Sequence, residues 1–259
     1  MSTSDYVLHL ADNALVLGQR NAEWCGHGPI LEEDIAMANN SLDLVGQARM
    51  LYHYAATLKG AGATEDSLAY FRDPPAFKNF TLVELPHHGP LVGYAVDRRD
   101  YAVTIVRNFL YSALMGLVWE KLQDGSDPDL AAIAAKALKE TRYHLRHASD
   151  WLIRFGTGTG ESARRAQEAL NHLLPYTQEF WLLADYEEQA VSEAVAVDPR
   201  TVEASWHEIV AHVVSQAGLR LPDSGGHRST GKCGVHSEHL SYLLADMQSL
   251  ARAHPEGVW

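Results

Sequence analysis

A chain of 259 residues with 46% hydrophobic content can bury a sizeable core and is too apolar for a disordered segment. A formal net charge of −12 excludes a phosphate-backbone binder, which needs clustered Lys and Arg, so no nucleic-acid partner is expected. Cys25 and Cys233 lie far apart and outside metal-ligand spacing, which fits a reducing cytoplasm, and no uncharged apolar run approaches the roughly 18 residues of a membrane span.

The first 20 residues carry no basic leader and are interrupted by Asp5, Asp12 and Asn13, so they read as a helix and not as a signal peptide. Ser4-Asp5 caps that helix, which runs to about residue 23 with Val7, Leu10, Ala11, Ala14, Leu17 and Gly18 on its apolar face. The run Cys25-Gly26-His27-Gly28-Pro29 ends it. A second helix is predicted over 31–59, with Leu44, Leu51 and Leu58 seven residues apart and Asp43, Gln47, Met50 and Tyr54 on an adjacent stripe. Residues 64–72 read as a short helix. The stretch 73–90, with Pro74, Pro75, Pro86, Gly89 and Pro90, reads as a long connection with one short element over 77–85.

Val103, Val106, Leu110, Ala113 and Leu117 give a third long helix over 97–123. Asp127 then caps, and Pro128 opens, a fourth over 128–155. Its inward seam is Ala134, Ala137, Thr141, His144, Ala148, Trp151 and Phe155, at alternating steps of three and four. A fifth helix is predicted over 161–184, and Asp198-Pro199-Arg200-Thr201 opens a sixth that ends near Gly218. A Gly-rich loop over 219–235 and a last helix over 237–252 complete the chain. Four long helices with one long crossover in the middle predict an all-α, ferritin-like four-helix bundle with additional C-terminal helices. It is read as a single domain over 1–259, with the core bundle over about 5–156 and peripheral helices and the loop over about 160–252.

Di-iron bundles of this connectivity use about six ligands in the order Glu, Glu-x-x-His, Glu, Glu-x-x-His. Here the first helix offers Glu23, with Asp12 as the lesser choice. The second offers Asp43, followed three residues later by Gly46, which cannot ligate, and then by Gln47. The third has no carboxylate between Asp100 and Glu120, and the fourth pairs His144 with Thr141 where an acid belongs, the acid lying one step earlier at Glu140. No more than half the set survives, too little carboxylate charge for two iron ions. Glu23, Asp43, Gln47, Glu140 and His144 therefore read as vestigial ligand positions within a buried polar network. A divergent di-iron oxygenase or ferroxidase using Glu23, Asp43, Glu140 and His144 is the rival reading.

Gly226-His227-Arg228-Ser229-Thr230-Gly231-Lys232 matches the start of a phosphate-binding loop, but Cys233 follows where Ser or Thr should hold magnesium, and no strand precedes it. The plain reading is a loop that touches a partner. In a third reading Arg228 and Lys232 contact the phosphates of coenzyme A. His236 and His239 read as surface or capping residues. Trp24, Trp119, Trp151, Phe180, Trp181 and Trp206 read as core, and Trp259 as an end that needs cover.

Residues 18–29 (GQRNAEWCGHGP), 40–49 (NSLDLVGQAR), 135–146 (AKALKETRYHLR), 197–200 (VDPR) and 230–247 (TGKCGVHSEHLSYLLADM) carry a family likeness over nearly the whole length. The chain resembles the C-type subunits of bacterial phenylacetyl-CoA 1,2-epoxidase complexes. The resemblance implies a cytoplasmic, structural subunit with degraded ligands, holding no catalytic residue and no cofactor of its own. It implies as partner the catalytic, A-type subunit, carrying the di-iron site and substrate pocket, together with the other epoxidase subunits. A reductase with flavin and iron–sulfur centres would deliver electrons from NADPH, and oxygen would convert phenylacetyl-CoA to its ring epoxide.

Overall fold

The structure is a computed structural model that describes residues 2–90 and 98–257. The predicted start of the third long helix at Asp97 and the terminal Trp259 lie outside the described residues. Among the described residues, ten α-helices follow one another in the order α1 (Ser2–Ala22), α2 (Leu31–Lys59), α3 (Glu65–Tyr70), α4 (Thr81–Glu84), α5 (Tyr101–Leu122), α6 (Pro128–Thr157), α7 (Gly160–Leu173), α8 (Asp185–Ser192), α9 (Glu203–Gln216) and α10 (Glu238–Ala253). The same residues contain no strand, only an isolated bridge between Thr230 and Val235. The fold is all-α and ferritin-like in element order: two long helical hairpins, α1/α2 and α5/α6, joined by a long connection.

The chain divides into two compact units. The first comprises Met1–Leu85, Ala184–Ala196 and Ser229–Trp259, and the second Pro86–Leu183 and Val197–Arg228. The later helices are thus shared between the units, α8 and α10 in the first and α7 and α9 in the second.

In the first unit, α1 is enclosed on every side. The predicted face of Val7, Leu10, Ala11, Ala14 and Leu17 is buried, and so are Leu8, Leu15 and Val16. A helix apolar all round belongs in a core, and each fully buried Leu or Val contributes about 1.5–3 kcal/mol. His9, Asp12 and Asn13 are buried with them, so this helix also carries polar groups that need partners. The turn into α2 is closed by Asp34, whose carboxylate accepts the Gly26 and Gly28 N–H groups at 3.1 and 2.9 Å. Those bonds hold its carboxyl below the ordinary carboxylate value. A Cβ on Gly28 would come within 2.7 Å of Asp34 backbone, so only glycine fits. Met37, Leu44, Ala48 and Leu51 form the buried face of α2. Leu58 departs from the predicted heptad row and is exposed.

In the second unit, α5 is buried without a break from Tyr101 to Met115. It is long and apolar enough to cross a membrane, yet 89% of its apolar window is buried within the protein. Asp127 caps α6 by accepting the Leu130 N–H at 3.0 Å, with Pro128 in the first turn as predicted. Ala134, Ala137, Thr141, His144 and Ala148 of the predicted seam are buried, and the half-buried Trp151 and Phe155 rings meet Tyr101 edge-on. The predicted fifth helix breaks at Leu173. Pro175 has no N–H to continue the ladder, and the chain tightens into a 3-10 run, Leu174–Trp181. That run brings Phe180 and Trp181 against Trp206 of α9. Asp198-Pro199 opens only a 3-10 turn, and α9 begins later, at Glu203. Helix α8 lies where no helix was predicted after residue 184, and it is too short for periodicity to reveal.

Candidate functional site

The predicted ligand positions are scattered. Glu23 lies past the end of α1, where it accepts a hydrogen bond from Arg20 Nη1 at 2.6 Å. Asp43 is half-buried and Gln47 buried on α2 of the first unit; Glu140 is half-buried and His144 buried on α6 of the second. Among the described residues, no group of three or more His, Cys, Asp or Glu side chains is placed to hold a metal.

The developed polar site lies elsewhere, around Asp12 at the middle of α1. Tyr52 donates its hydroxyl to Oδ1 at 2.5 Å, and Arg72 Nη2 donates to the same oxygen. Arg72 Nη1 reaches Oδ2 at 3.1 Å and the Lys78 backbone N–H reaches it at 2.8 Å. These donors fill the roughly four lone-pair positions of a carboxylate. The guanidinium also lies 4.2 Å from the centroid of the Phe77 ring. Burial works against the Arg72 charge, but Asp12 and Tyr52 more than offset it and raise its pKa. Burial, with the Asp12 charge behind it, pushes the Tyr52 hydroxyl well up. Asp12 therefore serves an internal cation, and its ligating capacity is used up.

Two more buried carboxylates tie the connection and the C-terminal segment of the first unit together. Glu84 accepts the Ser237 N–H at 2.6 Å, Asn79 Nδ2 at 2.9 Å and His236 Nδ1 at 2.9 Å. The expectation that His236 sits at the surface is thus corrected: its other ring nitrogen meets the Phe77 carbonyl at 3.0 Å. Glu187 pairs with Lys232 at 2.8 Å and accepts the Ala184 N–H at 2.8 Å. Beside it, His9 donates from Nδ1 to the Lys78 carbonyl at 2.6 Å, and Asn13 clamps the Phe80 N–H at 2.9 Å. Burial lowers the His9 pKa; Glu187 and Asp12 oppose this and Lys232 adds to it.

The reading in which Arg228 and Lys232 contact the phosphates of coenzyme A is corrected at Lys232. Arg228 is exposed, whereas Lys232 is 1% exposed in a 3-10 turn, Gly231–Cys233, locked to Glu187. The glycines there serve packing. A Cβ on Gly231 would lie 2.6 Å from the Asn79 carbonyl, and Gly234 has φ +82° with the Pro75 carbonyl 2.5 Å away. The segment is pressed onto the 74–81 stretch.

In the second unit, the stretch of α5 that lacks a carboxylate carries Arg107 instead, fully buried. Its Nη2 donates to His87 Nδ1 at 3.2 Å, and His87 Nδ1 also meets Thr104 Oγ1 at 2.6 Å. A guanidinium cannot accept, so Nδ1 is the acceptor in that contact. Taken unit by unit, this donor set does not fit a di-iron pair, which needs carboxylates with free oxygens facing the metals. Asp12, the buried carboxylate of α1, is saturated, and α5 presents a buried cation. Sequence reasoning missed Arg72, Arg107, Glu84 and Glu187. A single Arg inside an apolar helix, as at Arg107, was the readable signal, because a buried charge requires a partner.

The model of the family described as phenylacetic acid catabolic protein matches residues 1–259. The chain is also similar to the C-type subunit of 1,2-phenylacetyl-CoA epoxidase from Escherichia coli (strain K12), with 44% identity over 254 residues, 98% of each chain. On a full-length family match and that degree of identity, the chain belongs to the phenylacetic acid catabolic protein family.

Proposed function

We propose that this chain is a non-catalytic structural subunit of a multicomponent di-iron monooxygenase that epoxidises the ring of phenylacetyl-CoA, and that it pairs with and stabilises the catalytic subunit. Family membership and the name of the relative support the pathway and the existence of other subunits. The observation that carries the non-catalytic role is the Asp12 site: where a metal would need an open carboxylate on α1, Tyr52, Arg72 and Lys78 occupy every acceptor position. In this reading the partner holds the iron, a separate reductase takes electrons from NADPH through flavin and iron–sulfur centres, and this chain supplies shape.

The test is to purify the chain with and without its catalytic partner, reconstitute both with iron anaerobically, and quantify iron per chain and epoxide formed from phenylacetyl-CoA. Iron and turnover should follow the catalytic subunit. About two irons per chain on this chain alone would overturn the proposal. Glu140→Gln in the assembled complex should leave its iron content and kcat unchanged, whereas substitution of a ligand would lower both.

A further inference from the structure

Leu31, Ile35, Ala38, Leu42 and Val45 succeed one another along α2 at steps of four, three, four and three. That spacing forms a seam that receives another helix. The buried face of α2, through Met37, Leu44, Ala48 and Leu51, is a different one. The outward seam is bare: Leu31 is 72% exposed, Ile35 54%, Leu42 71% and Val45 41%. The neighbouring Ile30 is 50% exposed and extends the row into a contiguous apolar patch, a feature that on a soluble monomer is often functional. At Val45 the seam opens into a groove of about 760 Å³ lined by Val45, Arg49, Phe71, Met247, Leu250 and Pro255. Phe71 and Leu250 are exposed there as well.

The seam has polarity. Its first turn is acidic, with Glu32 exposed, and its far end carries the exposed Arg49 guanidinium, 3.5 Å from Glu65. A standard interface takes about 800 Å² from each partner, with an apolar centre and a polar rim. Seam and groove together supply such a centre, and these charges supply the rim. The net charge of −12 sets two copies of this chain against each other, which favours a different chain as occupant.

We infer that this face of α2 is the seat of the catalytic subunit, which lays an apolar helix along the seam. That helix carries basic residues at the end meeting Glu32 and an acidic residue at the end meeting Arg49. The assignment rests on the pairing proposed above and names the surface that performs it.

Leu42→Glu and Ile35→Glu test it, since both side chains are exposed and the fold should tolerate the change. Tyr242→Lys, on the exposed Tyr242 of α10, is the control. The full chain is titrated with its catalytic subunit, and the circular dichroism and Tm of each free variant are recorded. Either seam variant should weaken association about tenfold or more with an unchanged Tm, and the control should bind normally. Glu32→Arg should weaken it too. Seam variants that bind as tightly as wild type overturn the face assignment while leaving the pairing intact. A wild-type chain that does not associate overturns the pairing and the assignment with it. A homodimer of the chain alone that Leu42→Glu dissociates assigns the seam to a second copy and overturns the proposal.

Discussion

At the scale of single residues, the first unit is governed by charges held inside it. Asp12 is fully buried and Arg72 nearly so, and each satisfies the other. Asp12→Asn would leave the guanidinium enclosed without its counter-charge, at a cost of about 3–5 kcal/mol in chemical denaturation. The double variant Asp12→Leu/Arg72→Met should lose markedly less, because no unpaired charge remains. Equal losses in the single and double variants would show that the pair acts only through packing. His9 adds a pH dependence of known sign. Its pKa in the fold lies below the ordinary 6.5, so the unfolded chain takes up a proton first. The stability tied to its neutral form is complete above pH 6.5 and is lost as pH falls through that value toward the lowered one. Burial drives the shift, Lys232 adds to it, and Glu187, the Lys78 carbonyl and Asp12 oppose it. The Tm of His9→Asn, which keeps a donor for the Lys78 carbonyl, should fall less than that of wild type between about pH 8 and pH 5.5.

At the scale of elements, close approach and capping decide what each helix can accept. A Cβ on Gly156 would lie 2.0 Å from the Ala217 carbonyl, so Gly156→Ala must push the end of α6 away from the end of α9 and lower the Tm. Gly116 in α5 has nothing within 4 Å of a built Cβ, and Gly116→Ala should instead stabilise the chain by up to about 1 kcal/mol. Thermal melts of the two variants check the opposite signs. The long helices were legible in the sequence because their signals are local. The bounds of α2 were read to the residue, and the Asp127-Pro128 entry to α6 and the α6 seam were read correctly. Pro175 was a local cue to the break after Leu173 that the predicted helix overran, and the 3-10 run beyond it packs Phe180 and Trp181 on Trp206. Helix α8 was missed because its eight residues are too few for a periodicity to show.

At the scale of the whole molecule, an exposed apolar seam on a protein of charge −12 suits a component of a larger assembly. Association should raise its Tm by mass action, with about 2.7 kcal/mol gained at a partner concentration of 100 Kd. Calorimetry with and without the catalytic subunit measures that gain, and an unchanged Tm at saturation would contradict the stabilising role. The sequence by itself determined the all-α class, the four long helices with their mid-chain crossover and the family likeness, because periodicity, caps and residue identity are properties of short stretches. Only the tertiary structure decided what the polar residues do. Asp12 meets Tyr52 and Arg72 from 40 and 60 residues away, and Glu84 meets His236 across 152. Such pairings depend on which backbones come together, and a one-dimensional pattern does not contain that information. For the same reason the heptad row of Leu44, Leu51 and Leu58 could not say that the fold covers Leu44 and Leu51 and leaves Leu58 exposed.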